Sequence, residues 1–70
     1  MINTYIIIDA TLKDTHQTVG KIQAGSGKSA LQKFLQNNFM TAGMYDIHKS
    51  KFGWEMTNIH GSRFYAIKGI

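Results

Sequence analysis

The side chains that could carry chemistry in this chain are few and scattered. Three histidines (His16, His48, His60) and four carboxylates (Asp9, Asp14, Asp46, Glu55) make up its acid–base complement, and it has no cysteine. Two histidines with Asp46 have the chemistry of metal ligands, but their spacing matches no compact ligand motif. The carboxylates are not paired, and no serine stands at a spacing from a histidine that nucleophilic catalysis uses. A ribonuclease-type toxin needs only one or two histidines and a lysine, so His60 near Arg63 is the residual acid–base candidate. The expectation is a non-enzymatic chain with no catalytic residues, no metal and no cofactor.

Cations are more telling. Eight Lys and Arg against four Asp and Glu give a net charge of +4. Between Asp14 and Asp46 there is no acid at all, whereas Lys21, Lys28 and Lys33 all fall there. Such a field favours polyanions or an acidic protein surface, although solubility alone would account for a charge this modest. Farther on, Lys49, Lys51, Phe52, Trp54, Arg63, Phe64, Tyr65 and Lys68 interleave aromatic and basic types. Single-stranded nucleic acid is commonly held by that mixture, bases on rings and phosphates on cations. Phe52, Trp54 and Met56 share one face by period two and are expected in the core. That leaves Lys51, Arg63 and Tyr65 for the surface. The run Lys51-Phe52-Gly53-Trp54 resembles a cold-shock strand, but a helix in the middle of the chain contradicts that fold.

One further motif, Gly25-Ser26-Gly27-Lys28-Ser29, resembles the end of a phosphate-binding P-loop. Its pattern requires a glycine five positions before Gly27, and Ile22 stands there instead. No later acidic residue on a parallel strand is evident to organise Mg²⁺, and the chain is far shorter than a nucleotide-hydrolysing fold. The motif is therefore read as a turn with a helix cap. Helix amino termini nonetheless attract anions, so Ser26, Gly27, Lys28 and Ser29 form a candidate site for a single phosphate.

The elements that must position these residues follow from periodicity. Residues 4–12 are rich in β-branched and aromatic types, with Ile6, Ile8, Ala10 and Leu12 on one face and Tyr5 and Ile7 on the other. Apolar residues on both faces predict a central strand. A polar turn over 13–17 leads to a returning strand, Thr18 to Ala24, with Ile22 and Ala24 inward and a bulge at Gly20. Ser26 then caps a helix over Gly27 to Asn37, whose stripe is Ala30, Leu31, Phe34 and Leu35. Asn37-Asn38 stops it, since Asn tolerates the left-handed conformation. After Thr41-Ala42-Gly43, Tyr45 and Ile47 alternate in one phase and Phe52, Trp54 and Met56 in another. A turn at Lys49-Ser50-Lys51 is placed between them. A second turn spans residues 58–62, with Gly61 at positive φ, before a last strand from Arg63 to Lys68.

The order is β-β-α-β-β(-β), a small single α+β domain over residues 1–70. It comprises an antiparallel sheet of four or five strands with one α-helix packed on one face. Seventy residues bury only about 60% of the surface the unfolded chain exposes, and without disulfides the 43% of apolar residues must suffice. A homodimer would bury more. The amino terminus lacks the basic region of a secretory signal, and the run Tyr5 to Ile8 is too short to span a bilayer. The expectation is a cytoplasmic protein that does not enter a membrane. Two functions from different classes are expected. One is a small accessory protein that binds nucleic acid through a basic helix face (Lys28, Lys33) and the outer sheet surface (Lys51, Arg63, Lys68), with Tyr65 beside them. The other is a protein-binding module or small inhibitor, alone or as a homodimer, of the kind small bacterial and phage chains supply.

Overall fold

A computed structural model describes residues 2–12, 14–38, 44–51 and 53–69. The elements are β1 (Asn3–Leu12), β2 (Thr15–Ala24), α1 (Gly27–Asn37), β3 (Tyr45–Ser50), β4 (Gly53–Asn58) and β5 (Arg63–Lys68). Every strand pairing is antiparallel, and the five strands lie in the order β2-β1-β5-β4-β3. β1 is therefore interior, as apolar residues on both of its faces require. The last strand, β5, inserts beside the first and occupies the centre of the sheet.

The helix lies on one face of this sheet. Its stripe, Ala30, Leu31, Phe34 and Leu35, is buried against Ile7, Ala24, Met56, Phe64 and Ala66. Tyr5, Ile22, Tyr45, Ile47 and Trp54 pack around that centre, and the rings of Phe34 and Phe64 meet with centroids 5.4 Å apart. Alternation fixes the rest: Ile6, Ile8, Glu55, Arg63, Tyr65 and Ile67 point to the open face opposite the helix. The core placement expected for Phe52, like the loop at Thr41–Gly43, lies outside the described residues.

Ser26 opens the helix as its type demands. Its Oγ accepts the Ser29 N–H at 3.1 Å, and its carbonyl accepts the Ala30 N–H at 3.0 Å. Gly27 is needed for a different reason, close approach. A Cβ there would lie 2.6 Å from Cδ1 of Trp54. Gly27→Ala is accordingly expected to lose about 1–3 kcal/mol by overpacking, read as a lowered urea midpoint with unchanged m. A midpoint equal to wild type would show that the helix start can lift off Trp54 at no cost.

Three expectations are corrected. The turn after β1 is tighter than residues 13–17, because β2 already starts at Thr15, so His16 sits in a strand. The helix ends at the expected place by another device. Asn38 has φ −108, outside the left-handed region, and returns both its N–H and its side-chain amide to the Phe34 carbonyl. The β3–β4 turn comes later than Lys49-Ser50-Lys51, since Lys49 still pairs with Trp54 and Ser50 with Gly53. Two expectations hold with more detail: Gly61 has φ 88, and the bulge beside Gly20 leaves Val19 without a partner on β1. No helix among the described residues is long and apolar enough to cross a membrane.

Candidate functional site

Strand direction sorts the charges along the molecule. β1 runs up from Asn3, β2 runs down to Ala24, and α1 starts at that lower end. The β3–β4 turn and the end of β5 also lie there. Register gives the heights: Lys68 is level with Tyr5, Lys21 with Ile6, and Lys49, through Trp54 and Ala66, with Ile7. Lys51 lies in the turn below, and Lys28 in the first turn of the helix. Lys33 starts higher, but its Nζ donates to the Gln23 carbonyl at 2.9 Å, and Gln23 is level with Thr4. Six lysines from three strands, one turn and one helix thus gather in the lower half.

The carboxylates do the reverse. Asp9 pairs with Phe64, Asp46 with Thr57 opposite Arg63, and Asp14 is in the upper turn. Glu55, level with Ile8, is the lowest of them, and it is buried and paired. Among the described residues the lower end therefore has no competing acidic side chain. The amino terminus of α1, with no acidic residue in its first turn, adds the positive end of a helix dipole to the same field.

Of the residues expected to bind nucleic acid, Lys28, Lys33, Lys51 and Lys68 are brought to this end, where Lys21 and Lys49 join them. Arg63 and Tyr65 are not. They stand on the open face in the upper half, in a network built around Glu55. Arg63 Nε forms an ion pair with Glu55 Oε2 at 3.3 Å, and the Tyr65 hydroxyl is hydrogen-bonded to the same carboxylate. His48 bridges Glu55 Oε1 at 2.7 Å and Asp46 Oδ2 at 3.0 Å through its two ring nitrogens. Tyr65 is consequently half-buried and held in place, not the freely exposed aromatic of the sequence reading. Among the candidate anion residues, Ser26 and Ser29 are engaged in the cap and Gly27 is buried on Trp54, while Lys28 is exposed.

The network was missed because its members look isolated in sequence. In sequence His48 stands just before the expected turn at Lys49-Ser50-Lys51, and Glu55 is one of four scattered carboxylates. The hairpin register that sets His48 opposite Glu55 was the signal that could have found them.

Both partners titrate away from their ordinary values. The hydrogen bond to Glu55 raises the His48 pKa above 6.5, opposed by some burial and helped by Asp46. Burial alone would push Glu55 up. The hydrogen bonds from Tyr65 and His48 and the charge of Arg63 outweigh it, so Glu55 titrates below 4.5. With a raised folded-state pKa, His48 contributes stability fully present below 6.5 and lost as pH rises through its folded value. With a lowered one, Glu55 contributes stability present above 4.5 and lost as pH falls through its folded value. The network is thus expected to help most between pH 4.5 and 6.5. Thermal midpoints measured across pH should fall on the alkaline side of that window, and His48→Asn should flatten that fall. An unchanged alkaline slope in the variant would remove His48 as its cause.

In comparisons with known proteins, no family model, curated protein or solved structure matches the chain.

Proposed function

We propose that this domain is a non-enzymatic binding protein that takes the phosphate backbone of a nucleic acid on its lysine-rich end. The observation that carries the reading is the segregation of charge along the strands. Lys21, Lys28, Lys33, Lys49, Lys51 and Lys68 occupy the lower half, and all four carboxylates stand at or above the level of Ile8. A net charge of +4 spread evenly would make a weak field. Gathered at one end, it can meet several phosphates at once and orient an approaching polyanion.

The lysines come from different elements, so the end presents points of charge and not a groove shaped to base edges. Contacts of this kind fix position and carry no sequence information. Binding is expected to be insensitive to sequence and strongly sensitive to salt. Three lysines on phosphates give a slope of log K against log salt of about −2 for a single strand. Between ~50 and ~200 mM salt, affinity for a labelled oligonucleotide, followed by anisotropy, should drop more than about tenfold. Absence of binding at the lower salt, or binding indifferent to salt, would overturn the proposal.

A further inference from the structure

The open face of the sheet carries a groove that the lysine-rich end does not explain. A hollow of about 480 Å³ is lined by Ala10, Thr11, His16, Gly61, Arg63 and Tyr65. A smaller one of about 130 Å³ is lined by Ile8, His16, Tyr65 and Ile67. They share His16 and Tyr65, and so form one groove along β1 and β5. Its floor is Ile8 and Ala10, one wall is His16 on β2, and the other is Tyr65 and Arg63 on β5. The larger hollow is in the size range of small-ligand sites.

We infer that this groove receives an unstacked base of a single-stranded nucleic acid whose phosphates lie on the lysine-rich end. The inference rests on the phosphate-binding reading above and narrows it to single strands. Three flat groups line the groove, an imidazole, a phenol ring and a guanidinium, and these are the surfaces on which splayed bases stack. No carboxylate is among the described lining residues, and the nearest one behind the wall, Glu55, is paired with Arg63 and His48. The β5 wall is held before any ligand arrives, because Arg63 and Tyr65 are both fixed on Glu55.

The groove also opens in the right direction. Ile67, in its lower part, is level with Ile6, and Ile6 with Lys21. Alternation puts Lys21 on the open face beside them, so the lowest wall of the groove meets a lysine of the basic end. A strand with its backbone on the lysines can turn one base upward between His16 and Tyr65. A duplex keeps its bases stacked inside and has none to offer.

The test compares three probes at low salt: a short single strand, the same strand made abasic, and the same sequence as a duplex. The intact strand is expected to bind about tenfold tighter than the abasic one, the size of one stacked base. Tyr65→Leu and His16→Ala should each bring the intact strand toward the abasic affinity and leave abasic binding unchanged. Tyr65→Phe, which keeps the ring, should retain most of the preference. His16 is exposed, so its variant reports on the groove even if Tyr65→Leu unfolds. Equal affinity for intact and abasic strands, or a duplex bound as tightly as the single strand, would overturn the groove inference while leaving phosphate binding intact. Failure of all three probes to bind would overturn both.

Discussion

Reversing Lys28, Lys49 and Lys68 to glutamate together is expected to weaken oligonucleotide binding at low salt by at least about a hundredfold. Each change removes a counterion-releasing contact and adds a repulsion, and together they turn a net charge of +4 negative. The three residues come from α1, β3 and β5, so no single element accounts for the loss. All three are exposed, and exposed substitutions of this kind usually move stability by no more than about 0.5 kcal/mol. Thermal unfolding followed by circular dichroism should therefore match wild type while anisotropy shows the loss. A variant that binds as well as wild type would mean that phosphates are held elsewhere.

Leu31→Ala is expected to have the largest effect on the fold. Leu31 is wholly buried at the centre of the helix stripe, and with Ile7 and Met56 it is among the largest fully buried side chains of the described residues. Truncating such a leucine removes its burial and leaves a cavity, at about 2–5 kcal/mol. A domain of seventy residues has about 4–10 kcal/mol in total, so the change takes up much of it. The thermal midpoint should fall by about 10–30 °C. Leu12, 66% exposed at the end of β1, serves as the contrast, and its alanine variant should differ little from wild type. A loss below about 1 kcal/mol for Leu31→Ala would mean that the helix is not the lid of this core.

Much of the fold was readable because local signals agreed. Ser26, the stripe Ala30-Leu31-Phe34-Leu35 and the polar face around Lys28 and Gln32 all define the same helix. Tyr5 and Ile7 against Ile6 and Ile8 made β1 an interior strand without any knowledge of its neighbours. The sheet order was not readable, because pairing of β5 with β1 joins residues at opposite ends of the chain, and no local pattern encodes it. The Glu55 network failed for a sharper reason. Placing the turn at Lys49-Ser50-Lys51 pairs His48 with residue 52, whereas the true register pairs it with Glu55. An odd shift in register moves every side chain to the other face, so His48 and Glu55 could not be seen together.

The lysine-rich end is a different case. Its charges were sought on faces, the helix surface and the outer sheet, when the structure gathers them by height. Up-and-down alternation of β1, β2, α1, β3, β4 and β5 brings Lys28, Lys51 and Lys68 to one end, once each turn is placed. Lys49 and Lys21 follow from register. Lys33 could not have been assigned, since its reach down to the Gln23 carbonyl depends on how the helix lies beside β2.

Amide chemical-shift mapping during titration with a single-stranded oligonucleotide at low salt tests the central claim most directly. The largest shifts are expected at Lys28, Lys49, Lys51 and Lys68 and at their neighbours in the lower half, fading as salt is raised. Shifts centred instead on Asp46, Asn58 and Ile59 at the upper end, or none anywhere, would contradict it.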